Sequence, residues 1–115
     1  MNTSFVEALD RLPGIELLDR EGAAAAYGQD TGGCDRLPAG AIVVTAAGSI
    51  REVLALANAH KTPLWPISGG RNFGYGTSLP VNPCSFILDL SRLRGVHIDV
   101  DSCTAHIEPG VTQAD

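Results

Sequence analysis

Apolar residues fall along this chain in two periodicities, helical and alternating, with a glycine-rich break between them. Residues 4 to 12 place Phe5, Ala8 and Leu12 at helical spacing, with Thr3 or Ser4 as a cap and Pro13-Gly14 as the stop. Ile15-Glu16-Leu17-Leu18 reads as a short extended piece. The Ala23 to Ala26 run reads as a brief helix stopped by Gly28, Gly32 and Gly33, and residues 27 to 40 as a loop leading to the first core strand. Ile42-Val43-Val44-Thr45 is a continuous β-branched run, the pattern of a strand buried on both faces. Ser49 stands three residues before Glu52, a capping box, and opens a helix whose Ile50, Val53, Leu54 and Ala57 form an apolar stripe. His60-Lys61 suit the dipole in its last turn, and Pro63 prevents continuation. Residues 64 to 67 then read as a second buried strand. Strand, helix and strand with short links make a βαβ unit with a right-handed crossover.

After the break, Pro80, Asn82 and Pro83 make a rigid turn, Phe86-Ile87-Leu88-Asp89-Leu90 a third strand, and residues 91 to 94 another turn. Strict alternation begins at Val96, with Val96, Ile98 and Val100 apolar and His97, Asp99 and Asp101 polar. Cys103, Ala105 and Ile107 resume it, so the pattern predicts a hairpin with one buried face. With Asp101-Ser102 as its two-residue loop, Val100 faces Cys103, Asp99 faces Thr104 and His97 faces His106. Thr112-Gln113-Ala114-Asp115 looks like an N-cap threonine with an acid at the third helical position. A helix needs more than one turn to be stable, so the chain is expected to be a piece of a longer one. The expected fold class is α+β (α/β): a βαβ unit with parallel strands followed by an antiparallel hairpin.

Composition narrows the function. At 115 residues the chain is at most one domain, and 44% hydrophobic against 18% charged residues make it globular. A net charge of −5 argues against nucleic-acid binding, which needs a basic face. No apolar run approaches a bilayer span, and the N-terminus lacks the basic and apolar regions of a signal peptide, so no membrane partner is expected and the cytoplasm is the default location. Cys34, Cys84 and Cys103 are an odd number without C-x-x-C spacing, which argues against a zinc site or a disulfide framework.

The candidate chemistry lies in the break. Gly69, Gly70, Gly74 and Gly76 fall together just beyond the predicted strand end at Ile67. Glycine permits positive φ and close approach, so successive loop amides can point inward as an anion nest. Arg71 adds a fixed cation with a fork suited to phosphate oxygens, and Ser68, Asn72, Thr77 and Ser78 add donors. In open α/β units, ligands bind beyond the carboxyl ends of the strands, where this loop begins. Two familiar phosphate patterns are missing: a Gly-Lys-Ser/Thr ending and a G-x-G-x-x-G opening a helix. Arg71 could instead pair with Asp89 or a terminal acid, and Trp65 reads as core filler or a stacking platform. His97, His106 and Asp99 share the hairpin's polar face, either as a solvated or partner-facing surface or as a two-histidine metal site. No Ser/His/Asp order, H-E-x-x-H or catalytic base is evident.

The strings Trp65-Pro66-Ile67-Ser68, Gly70-Arg71-Asn72 and Gly74-Tyr75-Gly76 resemble the FAD-pyrophosphate loop of the p-cresol methylhydroxylase/vanillyl-alcohol oxidase flavoproteins. The likeness continues through Phe86-Ile87-Leu88-Asp89-Leu90 to Glu108-Pro109-Gly110-Val111-Thr112, covering about residues 38 to 115. It implies that residues 38–115 are the first part of a p-cresol methylhydroxylase-type FAD-binding domain, preceded by an N-terminal helix and lead-in loop over 1–37. It places the amides of residues 68 to 72 and the Arg71 side chain on the pyrophosphate. Pro66 and Ile67 would shape the loop entrance, and Asn72, Tyr75 and Gly76 would support the ribityl or isoalloxazine side. The implied cofactor site is therefore Pro66, Ile67, Ser68, Gly69, Gly70, Arg71, Asn72, Tyr75 and Gly76. Many relatives carry a histidine after the paired glycines that bonds covalently to the flavin; Arg71 stands there instead, which excludes that link. Glu108-Pro109-Gly110 is either a turn near the flavin or a purely structural one.

The implied activity is oxidation of 4-substituted phenols, of the 4-cresol or vanillyl-alcohol type, by hydride transfer to the flavin through a quinone methide. Electrons would leave to oxygen or a cytochrome, and a homo-oligomer is expected. The substrate-activating residues would lie outside these 115 residues. The alternative is a small non-catalytic nucleotide- or protein-binding domain, which yellow colour and flavin fluorescence would oppose.

Overall fold

The computed structural model describes residues 3–28, 36–69 and 78–115. Its elements run α1 (Thr3–Leu9), β1 (Ile15–Leu18), α2 (Arg20–Tyr27), β2 (Gly40–Val44), α3 (Ile50–Ala59), β3 (Leu64–Ile67), β4 (Phe86–Asp89), β5 (Val96–Asp99) and β6 (Thr104–Ile107). The α+β class expected from the apolar pattern is what forms.

The main sheet has the order β1-β2-β4-β3. β2, β4 and β3 are parallel, with Ile42 opposite Leu88 and Pro66 opposite Leu88 on its other side. The βαβ unit is present, but β4 lies between its two strands. Residues of β2 and β4 are buried throughout, as befits central strands. β3 was expected to be buried and is instead a half-buried edge. Pro66 explains this: it has no N–H to donate, which suits an edge and would break a central ladder. The extended piece at residues 15–18 forms the other edge, pairing antiparallel to β2 with Ile15 opposite Val44.

Helices cover both faces. On one, Phe5, Leu9, Val53 and Ala57 pack with Ile42, Val44, Phe86 and Leu88. On the other, Ala23 of α2 meets Ala41 and Ile87, with Tyr27 and Ile67 at the margin. Leu9 rather than Leu12 carries the inward face of α1. Leu54 was expected in the α3 stripe and is 47% exposed, while Leu56 packs toward the core. α2 is longer than its alanine run because the Asp19 carboxylate caps it, accepting from the Gly22 N–H at 2.8 Å.

Ser49 does not form the expected capping box. It sits in a 3-10 turn over Ala47–Ser49, makes no side-chain cap bond, and its hydroxyl donates to the Pro13 carbonyl at 2.7 Å. That bond and Gly14 seal the α1–β1 corner against α3. Gly14 has φ +76°, and a Cβ there would lie 2.4 Å from Ser49 Oγ, so glycine is required.

β5 and β6 form a separate hairpin. His97 faces His106 and Asp99 faces Thr104, as expected. The turn, however, takes residues 100 to 103: Asp99 Oδ1 accepts from the N–H groups of Asp101 and Ser102, and Cys103 takes φ +54°. Val100 and Cys103 therefore lie in the loop instead of forming a ladder pair. The predicted buried face is also exposed, with Ile98 at 66% and Val100 at 80%, because no described element covers it. Among the described residues, no helix is long and apolar enough to cross a membrane.

Candidate functional site

The three parallel strands end on the same side, β3 at Ile67 and β4 at Asp89. A cavity of about 440 Å³ opens there, lined by the end of α2, Ile67, Ser68, Gly69, Ser78, Asp89 and Ser91. A second, of about 640 Å³, shares Ser68, Gly69 and Ser91 and extends along Arg94 to residues 109–114. The two cavities adjoin at Ser68, Gly69 and Ser91, which line both.

Of the predicted site residues, Ile67, Ser68 and Gly69 meet at this cleft. Pro66 lies in β3 and lines neither cavity. Gly70, Arg71, Asn72, Tyr75 and Gly76 lie outside the described residues. Gly69 is informative. Its φ is not in the left-handed region, and a Cβ there would meet no described atom within 4 Å. Neither backbone strain nor packing within the described chain demands glycine at this position. Among the described atoms there is room for a bound group to approach the backbone, which fits a cofactor phosphate against loop amides.

The far flank is built by the Glu108-Pro109-Gly110 turn. Glu108 Oε2 accepts from the Gly95 N–H at 2.6 Å, and the Gly110 N–H donates to the Leu93 carbonyl at 2.7 Å. A Cβ on Gly110 would fall 2.2 Å from the Ser91 carbonyl oxygen, so this is a locked structural turn. Pro109 and Gly110 also line the cleft. Beyond them the Thr112 N–H and hydroxyl both donate to Asp115 Oδ2 at 2.8 Å, while Arg94 holds Asp115 Oδ1 at 2.5 Å. These bonds, the Thr112 N–H first, hold the Asp115 carboxyl down to about 2.

Sequence reasoning missed a pair on the opposite wall. The Tyr27 hydroxyl donates to Asp89 Oδ2 at 2.5 Å, and Asp89 Oδ1 accepts from the Ser91 N–H at 2.8 Å. Burial, then the bond to Asp89, pushes the Tyr27 phenol above its ordinary range. The one available signal was an acid closing an otherwise apolar strand. Both Asp89 oxygens are already bonded, so its satisfaction does not require the Arg71 pairing considered from sequence. His97 and His106 stand opposite each other on exposed strands, and the described residues contain no group of three potential ligands able to hold a metal.

This cleft lies beyond the carboxyl ends of parallel strands, where open α/β domains bind nucleotide cofactors. Residues 38–115 match the model of the FAD binding domain family; the chain belongs to that family, and FAD is its cofactor. It is 43% identical over 76 residues to the 4-cresol dehydrogenase [hydroxylating] flavoprotein subunit of Pseudomonas putida, covering 65% of this chain and 15% of that one. It is 35% identical over 99 residues to the 1'-carboxy-chondrochloren decarboxylase of Chondromyces crocatus, covering 82% and 17%. Among solved structures, p-cresol methylhydroxylase with substrate bound matches with TM-score 0.73 at 35% identity, over 84% of this chain and 19% of that one. The fold is thus that of a p-cresol methylhydroxylase-type FAD-binding domain. The chain spans 15% and 17% of the length of these two curated relatives.

Proposed function

We propose that this chain is the cofactor-holding part of an FAD-dependent oxidoreductase that oxidises 4-substituted phenols. The observation that carries the binding role is Gly69, which lines both cavities at the strand ends and whose added Cβ would meet no described atom within 4 Å. The likeness to a 4-cresol dehydrogenase subunit supports the phenolic substrate class. FAD, when bound, supplies the hydride acceptor, and the protein's task is to bind and orient it. Ser68 and Gly69 offer backbone amides to the phosphates, with Gly70, Arg71 and Asn72 completing the cradle. Asn72, Tyr75 and Gly76 support the flavin side, and Ile67 shapes the entrance. Pro109 and Gly110 close the far flank against water. Oxygen or a cytochrome takes the electrons, and the enzyme is a cytoplasmic homo-oligomer.

The test is Gly69→Val in the full chain. Because a Cβ meets no described atom there, stability should stay within about 0.5 kcal/mol of wild type. Co-purified FAD should nevertheless fall severalfold, since the branched side chain occupies the phosphate's approach. Stoichiometric FAD in the variant would sink the cradle assignment. Loaded wild-type enzyme should reduce its flavin with 4-cresol or vanillyl alcohol; a flavin that both leave oxidised would remove the phenol assignment and leave the cofactor one standing.

A further inference from the structure

The α2–β4 wall of the cleft is built from groups that the glycine-loop reading does not use. Tyr27 ends α2 and Asp89 ends β4, and their 2.5 Å bond ties helix to sheet at the cavity's edge. Asp89 is 8% exposed, yet it lines the cavity beside Ile67, Ser68 and Gly69. A carboxylate presents about four lone-pair directions, and here one bond to Tyr27 and one to the Ser91 N–H engage each oxygen once. Acceptor capacity therefore remains at a buried position against the cleft. An ionised carboxylate repels a phosphate and attracts a hydroxyl proton. This wall is unsuited to the pyrophosphate and suited to the cofactor's hydroxyl-bearing parts.

We propose that Asp89 binds the cofactor by accepting a hydrogen bond from a hydroxyl of its ribityl or ribose portion, and that Tyr27 is the positioning residue that aims the Asp89 carboxylate. The inference rests on FAD binding and adds an orientation: hydroxyls along the α2–β4 wall, phosphates along the Ser68-Gly69 side. Tyr27 acts through Asp89 and need not touch the cofactor. Asn at position 89 keeps the shape but provides one accepting oxygen, too few for Tyr27, Ser91 and a ligand hydroxyl together.

The experiment titrates FAD into the stripped full chain of wild type, Asp89→Asn and Tyr27→Phe, well below each melting temperature, and records flavin absorbance and circular dichroism. Asp89→Asn should lose about tenfold or more in affinity, the scale of a hydrogen bond to a charged group. Tyr27→Phe, which keeps the ring and its packing, should lose less and shift the visible circular dichroism of bound flavin. Competition by FMN, which lacks the adenosine ribose, and by ADP, which lacks the ribityl chain, assigns the hydroxyl: the competitor weakened by Asp89→Asn carries it. If both variants melt earlier yet bind FAD within about twofold of wild type, Tyr27 and Asp89 only brace the fold and the proposal is overturned. Tighter binding by Asp89→Asn would overturn it too, because the carboxylate would then be merely repulsive. Failure of wild type to bind FAD would count against the cofactor reading, a separable result.

Discussion

The main sheet and the β5–β6 hairpin carry similar residues and meet opposite fates. Gly40-Ala41-Ile42-Val43-Val44 is buried at every position, whereas Val96-His97-Ile98-Asp99 is exposed at every position. Strand propensity does not distinguish them, since valine and isoleucine dominate the apolar positions of both. The layers do. The sheet has α1 and α3 on one face and α2 on the other, while no described element lies over the hairpin. The functional geometry follows the same division. The sandwiched sheet fixes the carboxyl ends that carry Ile67 and Asp89, and the hairpin is held from below by the bonds of Glu108 to Gly95 and Gly110 to Leu93.

The sharpest test of this contrast is a paired truncation. Ile42→Ala removes a fully buried side chain from the sandwiched sheet and should cost about 2–5 kcal/mol in denaturant unfolding. Ile98→Ala, at 66% exposure, should stay within about 0.5 kcal/mol. A loss at Ile98 approaching that at Ile42 would break the comparison, because it would mean that the hairpin face is covered in the protein as it exists. Next in size comes Gly110→Ala. With Ser91 and Leu93 carbonyl oxygens 2.2 and 2.6 Å from the new Cβ, the turn must shift, at about 1–3 kcal/mol. That cost should appear together with a weaker hold on FAD, whereas Gly69→Val should weaken FAD binding alone. Equal stability losses in the two glycine variants would erase the distinction between a glycine the chain requires and one the ligand requires.

These contrasts also mark what the amino-acid order makes legible. β2, α3 and β4 could be read from β-branched runs and a helical stripe, because local period and burial agree there. The position of β4 between β2 and β3 could not, since strand order is a tertiary choice; only Pro66 hinted that β3 would be an edge. The hairpin register was legible from alternation, but the burial of its apolar face was not, because the same pattern results whether the covering layer is near or absent. At the site, Ser68 and Gly69 were visible as the start of a glycine loop. Tyr27 and Asp89 were not, since 62 residues separate them and no local period links a helix end to a strand end. Ser49 looked like a cap by spacing, and its hydroxyl went to Pro13 because the α1–β1 corner packs against it.

The smallest effects are electrostatic, and they separate the two regions by sign. Tyr27, at the edge of the sandwiched sheet, has its phenol pushed above the ordinary 10.0, chiefly by burial. Its contribution is complete below that value and is lost as pH rises toward the folded one, so it weakens the fold only on the alkaline side. Asp115, beyond the hairpin, is depressed from 3.8 to about 2 by the Thr112 N–H, then Arg94 and the Thr112 hydroxyl. Its contribution is present above 3.8 and is lost as pH falls through about 2, so it acts only on the acid side. The carboxylate is solvent-exposed, so added salt should shrink the part due to Arg94 while leaving the Thr112 bonds largely intact. Carboxyl chemical shifts followed by NMR should show Asp115 titrating below the ordinary aspartate value of 3.8, and Arg94→Gln should raise its midpoint only in part. A return to the ordinary aspartate range in Arg94→Gln would mean that the ion pair, and not the Thr112 turn, organises this end of the cleft.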